Sequence, residues 1–237
     1  MILKRGNIMT EQKTILCIGD SIVEGYPYEL EASWVFHAEQ HWNQGKETLR
    51  DDLWINAGIS GQLTSEIRFR LGPALVRYAP DLVVISCGTN DFIFLEGPRG
   101  DVDSAWANIK AMAAAALQTG ADVIITAPPL TIPALASRRW SDGTDYEAVN
   151  RKLRELRQRI AVWCNDQIES VCEKDASINK VKLWDVQKAF EQWVEEDGGT
   201  LEAASHWFVD GLHPTKQGYE AMAKQLIALL DQNLFLL

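Results

Sequence analysis

The run Leu82-Val83-Val84-Ile85-Ser86-Cys87-Gly88 constrains this chain more than any other stretch. It is almost wholly apolar, rich in β-branched residues, and set off by Pro80-Asp81 before it and by glycine at its end. A strand with one face in water alternates apolar and polar residues. A strand that does not alternate is covered on both faces, as in a parallel sheet between two layers of helix. Four other short runs also read as strands: Ile15 to Gly19, Leu53 to Gly58, Val123 to Ala127 and Val181 to Val186.

The intervening segments carry helical periodicity. Trp34, Val35, Ala38 and Trp42 recur at helical spacing in 32–44, and Gly45 is the expected stop. Leu63, Ile67, Leu71, Leu75 and Tyr78 make the inward side of a second helix, with Thr64 as its expected cap and Gly72-Pro73 as a kink midway. Residues 105–118 are alanine-rich and stop at Gly120. Thr144-Asp145-Tyr146-Glu147 has the form of a capping box, ahead of a stripe at Tyr146, Val149, Leu153, Leu156, Ile160 and Trp163. A last helix over 215–232 is apolar at Tyr219, Met222, Leu226 and Leu230. Each parallel pair needs a crossover and each sheet face needs covering, so the expected fold is α/β, a three-layer sandwich around a five-stranded parallel sheet. Strand order does not follow from this, although a flavodoxin-like order would put the ends of strands one and three side by side. Residues Leu130 to Gly143 break the pattern and read as a long, functional loop.

No shift of composition marks a linker, so all 237 residues are expected to form a single domain, with residues 1–13 as an N-terminal extension. The formal charge of -10 repels phosphate backbones, and nucleic acid is not an expected partner. The basic run from Arg151 to Arg159 is interleaved with leucine and reads as a solvated helix face. Cys17, Cys87, Cys164 and Cys172 form no CxxC pair and read as buried small hydrophobes. His37 and His41 lie four apart but have no carboxylate or cysteine companions, so neither metal nor cofactor is expected. No run has the length of a secretory signal core or a membrane span, which makes the expected location cytoplasmic with no membrane partner. The apolar tail Leu234 to Leu237 suits either packing on the body or an oligomer contact, and the oligomeric state stays open.

Ligands bind at the carboxyl ends of strands in open α/β sheets. The strand ends here are Gly19-Asp20-Ser21, then Asn56-Ala57-Gly58-Ile59-Ser60-Gly61, then Gly88-Thr89-Asn90-Asp91, and a fourth polar segment, Asp210-Gly211-Leu212-His213-Pro214, precedes the last helix. Taken singly, Ser21 reads as a helix cap, Asn90 and Asp91 as turn residues, and His213 as a helix-entry residue. Taken together they hold the parts of nucleophilic catalysis. Serine needs a base, and histidine is the side chain that titrates nearest neutrality. Asp210, three residues before His213, can turn back to orient the imidazole. Glycine allows close backbone approach to a substrate, and asparagine is a neutral donor.

In this order and at these places, the four segments resemble the motif blocks of the SGNH (GDSL-type) hydrolase superfamily of esterases, lipases and acylhydrolases, across about residues 15 to 214. Thr89 stands where many members have glycine. The resemblance implies Ser21 as nucleophile, Asp210 and His213 as its triad partners, and an oxyanion hole made by the backbone N–H groups of Ser21 and Gly61 with the Asn90 amide. It implies a small-molecule ester substrate with a small or medium acyl group, cleaved through an acyl-enzyme without metal. A thioester or an acetylated carbohydrate would suit the same triad. A flavodoxin-like module that holds a phosphate or nucleotide at helix N-termini is the reading from another class, although no GxxxxGK[ST] loop or dinucleotide fingerprint occurs. Phe92, Ile93, Phe94, Leu95 and Trp140 are candidates for an apolar wall near the acyl group. His206 is a candidate pocket-wall or packed-loop residue, and Asp20 reads as structural.

Overall fold

A computed structural model describes residues 12–44, 51–140, 143–172 and 180–231. The five apolar runs form one parallel sheet from β1 (Thr14–Gly19), β2 (Leu53–Gly58), β3 (Leu82–Ser86), β4 (Asp122–Thr126) and β5 (Val181–Trp184), in the order β2-β1-β3-β4-β5. This is the flavodoxin-like order. The chain leaves β1 toward β2 on one side and returns to β3 on the other, so a crevice opens at the carboxyl ends of β1 and β3, where Gly19 pairs with Ser86.

The helices are α1 (Ser21–Glu24), α2 (Trp34–Gln44), α3 (Thr64–Tyr78), α4 (Thr89–Phe94), α5 (Val102–Gln118), α6 (Pro133–Trp140), α7 (Tyr146–Cys172), α8 (Val186–Glu196), α9 (Leu201–Trp207) and α10 (Lys216–Asp231). Alternate strand residues face opposite layers. Leu16, Ile18, Val83 and Ile85 meet α3, α5 and α7 through Ile67, Leu71, Ile109, Met112, Leu153 and Leu156. Ile15, Cys17, Leu82 and Val84 meet α1, α2, α8 and α10 through Val23, Trp34, Phe190 and Met222. The central strands β1 and β3 are therefore buried on both faces, which is why they read as continuous apolar runs.

Several local expectations are corrected. The stretch from Leu130 to Gly143 contains α6, a helix with a single buried residue, Ala136, whose short apolar content gives little periodic signal. Thr64 does not cap α3. The N-cap position is Leu63, whose backbone N–H is taken by Glu66, while the Thr64 hydroxyl donates to Asp91. In the Thr144–Glu147 segment the cap is Asp145, which accepts from the Ala148 N–H. The fifth strand stops at Trp184, and Asp185 caps α8 by accepting from Lys188 N–H. Ser21 is not a cap either, because Asp20 fills that role for α1 through Ile22 N–H.

The basic face of α7 is solvated but paired. Arg157 makes a fork onto Asp185, and Arg159 bridges Asp103 and Glu155. Cys17, Cys87 and Cys164 are buried free thiols. Gly45, the Cys172 side chain, the first eleven residues and the Leu234–Leu237 tail lie outside the described residues. No described helix is long and apolar enough to cross a membrane.

Candidate active site

Ser21 is the first residue of α1, directly after β1. The first N–H groups of a helix have no intrahelical partner, so the Ser21 amide is free of the helix ladder. Its side chain is buried and lies 2.9 Å from His213 Nε2. His213 Nδ1 is in turn 2.8 Å from Asp210 Oδ2. The other carboxylate oxygen of Asp210 accepts the backbone N–H groups of Leu212 (2.9 Å) and His213 (2.8 Å). Burial pushes the Asp210 carboxyl up, but the hydrogen bond and charge of His213 and the two N–H groups outweigh it and leave its pKa below the ordinary value. A carboxylate can only accept, so the proton on Nδ1 points at Asp210 and the Nε2 lone pair is left for the Ser21 hydroxyl.

Gly211 makes the compact Asp210-to-His213 return. Its φ is +84°, a conformation costly for a side chain, and Ile132 N–H donates to its carbonyl. Tyr26 packs edge-on against the His213 ring at 4.6 Å between centroids, and Trp140 at the end of α6 packs against it at 6.0 Å. Tyr219 on α10 holds the Tyr26 loop by donating its hydroxyl to the Tyr26 carbonyl.

The second and third strand ends approach from the other side. Asn90 donates one amide hydrogen to the Gln62 carbonyl at 3.0 Å, which fixes the amide and leaves its second hydrogen for the pocket. Gly61 has φ +77° and lines the same pocket. The loop around it is braced at two points. Glu24 accepts from the Ser60 N–H at 2.7 Å and from the Ser60 hydroxyl, and Arg70 donates to the Gln62 side chain and to the Gly19 carbonyl at 2.7 Å. Asp91, next to Asn90, receives Thr64 N–H and Oγ1 at 2.9 and 2.6 Å, tying the β3 end to the start of α3. Burial raises the Asp91 pKa against those hydrogen bonds. Asp20 is fully buried beside the site, and desolvation lifts its pKa to about 6 against the pull of the Ile22 N–H and His213.

These residues enclose a cavity of about 250 Å³ lined by Ser21, Gly61, Thr89, Asn90 and His213 together with Ile22, Tyr26, Ile93, Phe94, Trp140, Tyr146 and Leu212. Of the five residues expected at the site, Ser21, Gly61, Asn90 and His213 line the cavity, and Asp210 stands behind His213. Of the candidate wall, Ile93, Phe94 and Trp140 line the cavity, while Phe92 is packed in the core. His206 is neither wall nor packed loop: it is an exposed residue of α9 near Asp197. Among the described residues no cluster of three or more His, Cys, Asp or Glu could hold a metal ion, His37 and His41 included.

Sequence reasoning missed Arg70, Glu24, Tyr26 and Tyr219. They act across elements far apart in the chain, and only the Gly25-Tyr26-Pro27 turn next to Ser21 offered a local signal.

Residues 17–221 match the model of the GDSL-like lipase/acylhydrolase family. An arylesterase of Vibrio mimicus is 31% identical over 129 residues, 54% of this chain and 60% of that protein, so the match spans less than two thirds of the curated relative. The lipase/acylhydrolase of Enterococcus faecalis superimposes with a TM-score of 0.68 at 20% identity, over 94% of this chain and 97% of that one. The esterase EstA of a Pseudoalteromonas species, solved inhibited by monoethylphosphonate, gives 0.59 at 20% identity over 94% and 99%. Those two likenesses concern the fold, an all-parallel five-stranded α/β sheet. The family match covers most of the chain and includes all four polar segments, and the chain belongs to the GDSL-like lipase/acylhydrolase family.

Proposed function

We propose that the chain is a single hydrolase domain that cleaves carboxylic esters of small or medium acyl groups through an acyl-enzyme on Ser21. The observation that carries this reading is the continuous relay from Ser21 Oγ to His213 Nε2 at 2.9 Å and from His213 Nδ1 to Asp210 at 2.8 Å. Ser21 Oγ attacks the ester carbonyl carbon while its proton passes to Nε2. The carbonyl oxygen gains the negative charge and is met by the N–H groups of Ser21 and Gly61 and the Asn90 amide. Collapse breaks the bond to the alcohol oxygen, which takes the proton back from His213. Water then repeats the sequence on the acyl-enzyme, giving up a proton to His213, releasing the carboxylic acid and restoring Ser21.

Asp210 stays ionised throughout, orients the ring and stabilises the imidazolium, consistent with the direction of its pKa. The size of the cavity and its wall of Ile93, Phe94 and Trp140 support a small or medium acyl group over a long one. The buried free thiols Cys17, Cys87 and Cys164 support a reducing, cytoplasmic location.

The test is labelling by a fluorophosphonate. Wild type is expected to be modified at Ser21, to lose ester hydrolysis in step with labelling, and to be inert to the probe as Ser21→Ala. Full activity of folded Ser21→Ala on nitrophenyl esters refutes the reading.

A further inference from the structure

The loop that carries Gly61 is not held by packing. Ile59, Ser60 and Gly61 are exposed, and a Cβ on Gly61 would meet nothing within 4 Å. An oxyanion donor must still be held in place when the carbonyl oxygen takes on charge, since a misplacement of about 1 Å can cost on the order of 10²-fold in rate. The position of this loop therefore rests on its hydrogen bonds. Glu24 holds Ser60 in an exposed contact, where water competes for the same groups. Arg70 holds Gln62 from the side of the protein body.

Helix α3 is anchored by Ile67 and Leu71, both buried in the core, so Arg70 starts from a rigid base. Its half-buried guanidinium donates Nε–H to the Gln62 side-chain oxygen at 2.5 Å and a terminal N–H to the Gly19 carbonyl at 2.7 Å. Each acceptor adjoins a group of the oxyanion hole. Gln62 directly follows Gly61, and its own carbonyl takes the Asn90 amide at 3.0 Å. Gly19 stands two residues before Ser21, and its carbonyl also accepts the Ile59 N–H at the root of the loop. One side chain thus ties the strand end that carries the nucleophile to the Gly61 loop and to the anchor of Asn90.

Stability alone does not ask for an arginine at this place. Arg157 and Arg159 are met by carboxylates, whereas Arg70 makes no ion pair among the described residues. Burial pulls its pKa below the ordinary value, as expected of a cation taken from water without a paired carboxylate. An unbranched hydrocarbon would fill the space without that cost. It could not hold two acceptors at a fixed separation, which the planar fork of arginine does.

We propose that Arg70 is the positioning residue of the oxyanion hole: its fork sets the separation between Gly19 and Gln62 and thereby aims the Gly61 N–H and the Asn90 amide at the carbonyl oxygen. Arg70 does not line the cavity and acts through those donors. The inference rests on the hydrolase reading above and adds to it a residue from outside the four motif segments.

The test is a double-mutant cycle on nitrophenyl butanoate, with rates expressed per site titrated by a fluorophosphonate so that unfolded protein does not count. Arg70→Met is expected to lower kcat by about 10²-fold with KM within about twofold, the pattern of an interaction made only in the transition state. Arg70→Lys is expected to stay within about threefold of Arg70→Met, because one ammonium does not span both acceptors. In Asn90→Ala, which already lacks one donor, Arg70→Met should cost only about tenfold or less, so the two losses fall well short of multiplying. A purely structural defect multiplies with the loss from Asn90→Ala. Gln62→Ala cuts the Nε contact without touching the core and is expected to lower kcat by about tenfold at constant KM, which decides the matter if Arg70→Met does not fold. Unchanged kcat in Arg70→Met or Gln62→Ala, full recovery in Arg70→Lys, or losses that multiply in the double variant overturn the proposal and leave the hydrolase reading in place. Failure of wild type to take the phosphonate at Ser21 overturns both.

Discussion

Gly211 and Ala136 are packed backbone to backbone: a Cβ on Gly211 would lie 2.5 Å from the Ala136 nitrogen and 2.7 Å from the Ile132 oxygen. The first turn of α6 thus rests on the loop that carries Asp210 and His213, while the last residue of α6, Trp140, packs on the His213 ring. One short helix braces the relay at both ends. Gly211→Ala combines a strained φ of +84° with a backbone clash, and it is expected to cost about 2–4 kcal/mol in denaturant unfolding. Turnover should fall by about 10²-fold even where the variant is folded, through displacement of His213. Wild-type turnover in folded Gly211→Ala would show that α6 does not set the imidazole.

Asn90→Ala removes a neutral donor already fixed by the Gln62 carbonyl. If the amide meets the developing oxyanion, kcat should drop by about 10²- to 10³-fold with little change in KM. A rise in KM at constant kcat would assign the side chain to substrate binding instead.

Asp20 links stability to pH in the direction opposite to Asp210. Its folded pKa, raised to about 6, exceeds the ordinary 3.8, so its favourable contribution is complete below about pH 4 and is lost as pH rises toward 6. Asp210, with a lowered folded pKa, contributes stability above the ordinary carboxyl pKa and loses it as pH falls through its folded value. Asp20→Asn keeps an acceptor for the Ile22 N–H and abolishes the ionisation. Relative to wild type it should gain stability between pH 4 and 6, on the order of 3 kcal/mol, and level off above that. Urea unfolding across this range checks it; a pH-independent offset would remove Asp20 from the linkage.

Thr64→Val keeps the shape of the α3 entry but deprives the buried Asp91 carboxylate of its 2.6 Å hydroxyl donor and Asn108 of an acceptor. The expected loss is about 1–3 kcal/mol at neutral pH. Thermal unfolding of Thr64→Val and Thr64→Ser separates the hydroxyl from the volume, since serine should recover most of the loss.

The sheet was legible in the chain because its physics is local. The runs at β1 and β3 lack alternation, and only a strand covered on both faces tolerates that, so two helical layers follow. The meeting of Ser21, Asn90 and His213 was legible through the resemblance of the four polar segments to the motif blocks of a known hydrolase family. What the sequence by itself determined was the five strands, the helices α2, α3, α5, α7 and α10, and the residues available for chemistry, while α1, α4, α6, α8 and α9 emerged only in the structure. Tertiary structure decided the strand order, which brings Gly19 beside Ser86, and the 2.9 Å contact between Ser21 and His213 across 192 positions. It also decided the bracing by Arg70, Glu24 and α6. A hydrogen bond from Arg70 to the Gly19 carbonyl leaves no periodicity and no motif in the chain, because the two groups become neighbours only when the helical layer packs on the sheet.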